Sequence, residues 1–265
     1  MADVGKEAVL LRRDGAVTEL ILNRPEQLNA IDEQVAAQLR DGLVTVGRSR
    51  ECRCLVITGS GRGFCSGQAL PKAEVSAELP QDVAGLVRER YNPLVTLIRQ
   101  LPIPVLAAVN GVAAGAGFAL ALAADLRVAS QDAWFSCGFA KIGLVPDTGA
   151  SFFLPRYLGL PRAIQLALTG ERITAEAAAE LGLVAKVFPA STFAGDYLEF
   201  AQELAAGPTR AYALTKQAFR QALESTLEDQ LELEATLQQE AAETGDFQEG
   251  LRAFREKRPP RFSGH

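Results

Sequence analysis

The chain has 265 residues, with 27 Lys and Arg against 32 Asp and Glu, a formal net charge of −5 and 48% hydrophobic residues. That acidic balance disfavours a nucleic-acid partner, because neutralising phosphates needs an excess of cations. The one histidine, His265, is the last residue, which excludes Ser–His–Asp triads, histidine general bases and histidine metal sites.

The first 22 residues lack an apolar segment behind positive charges, so they read as strand rather than secretory leader, and the cytoplasm is the expected location. Alternating apolar runs at 8–13 and 16–22 predict a hairpin turning at Asp14-Gly15. Asn23-Arg24-Pro25 ends it. Asp32 then predicts the N-cap of a helix whose apolar face is Val35, Leu39, Leu43 and Val46. A buried strand over 53–58 runs into the glycine-rich loop GSGRGFCSGQAL, residues 59–70. Residues 71–83 read as irregular and mobile, and 84–101 as a helix through Leu86, Leu94, Leu97 and Ile98. Pro102 and Pro104 stop that helix before a buried strand at 105–109. A further strand follows at 126–130, and the chain from Thr174 onward is helical except for LVAKVF at 183–188. Strands alternating with helices predict an α/β domain with largely parallel pairing. The tail, 192–256, alternates apolar and charged faces and predicts helices packed on each other or on a partner chain. Four cysteines, Cys52, Cys54, Cys65 and Cys137, are too few and too poorly spaced for a disulfide framework or a zinc site.

The stretch AVNGVAAGAGFALALAADL, residues 108–126, is open to several readings. Residues 105–124 formally have the length of a membrane span, but Pro102, Pro104, the Asn110-Gly111 turn, a third glycine at 117 and the weakly apolar alanines count against one. Gly115-x-Gly117 lacks the third glycine of a dinucleotide loop, and no G-x-x-x-x-G-K-[ST] phosphate loop occurs. Glycines 111, 115 and 117 can instead turn backbone N–H groups toward an oxyanion at a helix start. A buried helix packed through small residues explains the stretch equally well on its own. The second glycine loop shifts the balance, since two loops after two strands can each offer one N–H to a single oxygen.

Taken together, NRPEQLNA (23–30), VITGSGRGFCSGQAL (56–70), PIPVLAAVNGVAAGAGFALALAADLRVAS (102–130), KIGLVPDTGASFFLPR (141–156) and ITAEAAAELGLVAKV (173–187) resemble the crotonase, or enoyl-CoA hydratase/isomerase, superfamily. The resemblance implies a crotonase-type spiral of repeated ββα units over 1–190, holding a CoA-thioester site. It also implies a helical region over 191–265 for assembly into a homotrimer or a hexamer. The implied substrate is an acyl-CoA thioester, with no metal and no cofactor, coenzyme A being part of the substrate. The enolate-stabilising N–H donors fall on Gln68 and Ala116. Ser66, Leu70 and Gly117 complete the implied thioester-binding set. Arg24, Arg62 and Lys257 are candidate partners for the CoA phosphates.

The departures from the family pattern carry most information. The two glutamates of hydratases fall on Ala119 and Phe139, so a two-carboxylate hydration mechanism is absent. The position of the lone acid in several family isomerases falls on Asp147, in LVPDTG. Without the resemblance, Pro-Asp-Thr-Gly is a turn. With it, Asp147 is the expected base, its pKa raised by the apolar surroundings of residues 143–146. Phe118, Phe139 and Phe64 are expected to line a pocket for a flat substrate, or, for Phe64 above all, to belong to the core. Residues 88–105, AVNGVAAGAG and GLVPDTG are most similar to family isomerases that convert ring-epoxidised phenylacetyl-CoA to its oxepin. The expected reaction is a proton shift through a thioester enolate, on that substrate or on a Δ3-enoyl-CoA. The alternatives are a hydratase with water placed by Asp147, and a non-catalytic subunit of a complex.

Overall fold

The computed structural model describes residues 7–69 and 82–265. Strands β1 (Val9–Asp14) and β2 (Val17–Leu22) form the hairpin. Asp14 pairs with Val17, so the turn is Gly15-Ala16 and not Asp14-Gly15. Gly15 takes a φ of +56°, which a glycine adopts without the steric cost of a Cβ.

Helix α1 (Glu33–Arg48) starts where Asp32 Oδ1 accepts the Val35 N–H at 2.8 Å, and it buries Val35, Leu39, Leu43 and Val46. β3 (Cys54–Gly59) and the short β4 (Gly63–Cys65) follow. The helix expected over 84–101 is three pieces: α2 (Val83–Leu86), a π-helical turn (Val87–Tyr91) and α3 (Asn92–Gln100). Pro93 lacks the N–H that would close a regular turn there. Next come β5 (Val105–Val109), β6 (Val112–Ala114), α4 (Ala116–Ala123), β7 (Leu126–Ser130) and β8 (Trp134–Ser136). Two helices unseen in the sequence, α5 (Ala150–Leu158) and α6 (Leu160–Thr169), precede β9 (Ile173–Thr174), α7 (Ala175–Glu180) and β10 (Lys186–Phe188). Four helices end the chain: α8 (Phe193–Ala205), α9 (Thr209–Gln221), α10 (Leu227–Ala242) and α11 (Gly245–Glu256).

The strands form two sheets, ordered β1-β2-β3-β5-β7-β10 and β4-β6-β8-β9. Apart from the β1–β2 and β8–β9 pairs, the pairing is parallel. The second, smaller sheet had no counterpart in the reading of the sequence, because its strands are two or three residues long.

Both faces of the large sheet are covered, which is why its strands read as continuous apolar runs. Cys54, Val56, Leu106 and Ala108 point to α8, meeting Phe193, Tyr197, Ala201 and Ala205. Leu55, Ile57, Ala107 and Val109 alternate to the other face and join α1, α3 and α4 in the main core. All eight residues of α4 are buried, and buried charge closes its C-terminal end. Arg127 donates to the Ala124 carbonyl at 2.9 Å and the Leu183 carbonyl at 2.5 Å, with its guanidinium 4.9 Å from the Tyr157 ring centre. Asp125 accepts from the Val105 N–H at 2.8 Å and pairs with Lys216 of α9 at 2.5 Å. The 108–126 stretch is therefore strand, loop and an eight-residue core helix. Among the described residues no helix is long and apolar enough to cross a membrane.

Candidate active site

Strands β4 and β6 run parallel with Cys65 beside Ala113, so the loops that leave their C-terminal ends emerge together. A Cβ on Gly67 (φ +99°) would lie 2.9 Å from the Ala114 oxygen and 3.4 Å from the Ala116 nitrogen. A Cβ on Gly117 would lie 2.2 Å from the Cys65 oxygen. Glycine at these two positions is what lets the two backbones touch.

The first loop is tied down on both sides of Gln68. Ile31 N–H donates to the Gly67 carbonyl at 2.7 Å, Ala69 N–H to the Ile31 carbonyl at 3.0 Å, and Ser66 N–H to the Leu28 carbonyl at 2.9 Å. This accounts for the NRPEQLNA motif. Leu28 and Asn29 both hold positive φ, and the buried Asn29 amide donates to the carbonyls of Ser60 (3.0 Å) and Gly63 (2.7 Å). The pattern leaves Gln68 N–H out. Ala116 is the first residue of α4, where a helix has no acceptor to offer. Neither N–H meets an acceptor among the described residues.

The two loops form one wall of a cleft of about 200 Å³, completed by Tyr91 and by Gly138, Phe139, Ile142, Leu144 and Asp147. Larger hollows lie beside α1 (about 420 Å³) and between α9 and α10 (about 530 Å³). The smaller cleft is the candidate because it joins two open amides to a titratable group with a perturbed pKa.

That group is Asp147. Burial holds its carboxyl above the ordinary 3.8, opposed by the Thr148 hydroxyl, which donates to Oδ1 at 2.7 Å. Val145 is 77% exposed and Leu144 and Ile142 are also exposed, although the last two line the cleft beside Asp147. Tyr91 and Cys137 lie near enough to feel the charge of Asp147. Thr148 is buried with φ +54°, a conformation costing a non-glycine residue about 1–3 kcal/mol.

Of the residues singled out in the sequence, Ser66, Gln68, Ala116, Phe139 and Asp147 line the cleft. Gly117 lies behind it as the contact with Cys65, and Leu70 lies outside the described residues, as does most of the 71–83 segment. Ala119 is fully buried in the main core. Phe118 is a correction: it packs on Phe135 with ring centres 5.4 Å apart and does not reach the cleft. Phe64 is core. None of the three CoA-phosphate candidates lines the cleft. Arg24 is buried and donates to Gln34 Oε1 at 2.7 Å, Arg62 borders a separate hollow with Asn110 and Tyr197, and Lys257 ends α11. Burial pushes the thiols of Cys65 and Cys137 up to about 12 and about 11, so neither is a nucleophile at neutral pH. Among the described residues no group of three His, Cys, Asp or Glu could hold a metal ion.

Tyr91 was missed from the sequence, where it counted as one more residue of a helix. The available signal was Asn92-Pro93 immediately after it, which disturbs a regular helix.

The enoyl-CoA hydratase/isomerase family model matches residues 12–265. The chain is 44% identical to a 1,2-epoxyphenylacetyl-CoA isomerase of Escherichia coli K12, over 97% of this chain and 99% of the relative. It is 46% identical to a probable enoyl-CoA hydratase of Rhodobacter capsulatus, over 92% and 93%. A solved enoyl-CoA hydratase from Polaromonas sp. JS666 superposes with a TM-score of 0.90 at 35% identity, covering 96% of this chain and 99% of that one.

Proposed function

The chain belongs to the enoyl-CoA hydratase/isomerase family, has the crotonase fold and is an enzyme; from that premise we propose that it is an acyl-CoA isomerase working through one carboxylate. The observation that carries this reading is the composition of the cleft: among the described residues, Gln68 and Ala116, each with an open backbone amide, line it together with a single carboxylate, Asp147. By the family resemblance, the positions of the hydratase glutamates fall on residues 119 and 139, which are Ala and Phe here.

In the proposed reaction the Asp147 carboxylate takes a proton from the carbon next to the thioester. The C–H electron pair moves into the carbonyl, and the resulting enolate oxygen is held by the N–H groups of Gln68 and Ala116. Each such donor contributes about 2.7–4 kcal/mol to the transition state. Asp147, now protonated, returns its proton to a different carbon as the enolate collapses, so the double bond moves and no atom is gained or lost. Its raised pKa suits both halves of that task. The likeness to an epoxyphenylacetyl-CoA isomerase supports a ring-epoxidised phenylacetyl-CoA as substrate, with the proton shift coupled to conversion to the oxepin. Ser66, which lines the cleft, is assigned to thioester binding in this reading. Exposed apolar side chains on the last helices, including Phe219, Leu227, Leu231 and Phe254, support self-assembly through residues 191–265.

The hydratase name of the Rhodobacter relative favours a second reading, in which Asp147 places a water. Rates on crotonyl-CoA, a 3-enoyl-CoA and the aryl epoxide thioester separate the two. Isomerisation abolished in Asp147→Ala supports the proposal, and robust hydration that survives Asp147→Ala overturns it.

A further inference from the structure

Tyr91 lines the same cleft as Gln68, Ala116 and Asp147. It is 1% exposed, and among the described residues its hydroxyl has no hydrogen-bond partner. Arg90 lies near enough to favour the phenolate but makes no hydrogen bond in satisfying geometry. Buried hydroxyls are almost always paired, and an orphan one at a cleft needs an explanation. Phenylalanine would fill the same volume without it. The residue also ends the π-helical turn over Val87–Tyr91, an irregularity that recurs at functional sites because it redirects a side chain. The orphan hydroxyl and the π turn are independent features of one residue.

We propose that Tyr91 is a specificity-determining residue, donating its O–H to an oxygen carried by the acyl group of the substrate, away from the thioester. The thioester oxygen already has the two amides, so a third donor across the cleft addresses a different atom. Burial, with the nearby Cys65 and Asp147, keeps the phenol protonated and therefore a donor. The acyl class selected is one bearing an oxygen acceptor near the reacting carbons, such as a ring epoxide, over a plain hydrocarbon chain. This rests on the acyl-CoA isomerase reading.

The test uses the full-length enzyme and Tyr91→Phe. Dissociation constants are measured for (2-hydroxyphenyl)acetyl-CoA and for phenylacetyl-CoA, with the melting temperature of each protein. The wild type is expected to prefer the oxygen-bearing thioester. Tyr91→Phe is expected to weaken that ligand about ten-fold, the worth of one hydrogen bond into a buried site, and to change the other less than about two-fold. Its melting temperature is expected to stay level or rise, because an unpaired buried group is removed. Equal changes for both ligands, no preference in the wild type, or a lowered melting temperature would each overturn the inference. If the differential holds while neither a 3-enoyl-CoA nor the aryl epoxide thioester is isomerised, the isomerase reading falls and selection by Tyr91 stands.

Discussion

One wall of the cleft does its chemistry with backbone, and the other with a single side chain. On the amide wall, β4, β6 and the 28–31 segment lock Gln68 and Ala116 in place through hydrogen bonds and glycine contacts. Side-chain identity at Gln68 is then nearly free, while the glycines beside both donors and the buried Ala116 are constrained by packing. On the acid wall, Asp147 sits in an exposed segment, oriented by a strained Thr148. There the geometry is local and the side chain is everything. The difference teaches where substitution should hurt: beside the donors on one wall, and at the acid itself on the other.

Asp147→Asn should break the comparison hardest, lowering isomerase kcat by about 10²–10⁴-fold, the usual worth of a positioned base. Its folded pKa is raised, so its ionisation opposes folding: the associated stability is present at low pH and lost as pH rises through the folded value. Thermal denaturation at pH 7 should therefore show the asparagine variant at least as stable as the wild type. Gly117→Val should come next. Its side chain must displace the Cys65 carbonyl, costing about 10²-fold or more in kcat by moving one amide. The melting temperature should fall as well, which calorimetry would detect. Thr148→Val keeps the shape and removes a hydrogen bond that lowers the Asp147 pKa. The acid limb of its kcat/KM profile should move to higher pH, and an unmoved limb would disconnect Thr148 from the acid. Gln68→Ala should have the smallest effect, within about three-fold, because only its N–H faces the oxyanion.

The two walls also differed in how well the sequence announced them. Glycines 67, 115 and 117 flagged the amide wall, because backbone lies too close to Gly67 and Gly117 for a side chain and Gly115 holds a positive φ, and the strands before them are apolar runs. The acid wall was visible through family likeness alone, since Pro-Asp-Thr-Gly has the composition of any turn. The sequence did not announce that residues 142–145 are exposed while Tyr91, far from them in the chain, lines the same cleft as Asp147. Phe118 was misplaced for a related reason. In a helix buried on every side, periodicity gives no clue to which face meets the cleft. The second sheet was invisible because strands of two or three residues carry no alternation to read.

The central claim is that Asp147 moves a proton at the carbon beside the thioester while the two amides hold the enolate. It is tested most directly by incubating phenylacetyl-CoA with the enzyme in D2O and following its methylene protons by NMR. The wild type should exchange them, Gln68→Ala should exchange them at a similar rate, and Asp147→Asn should leave them in place. Equal exchange by the wild type and Asp147→Asn, or none by the wild type, would contradict the account.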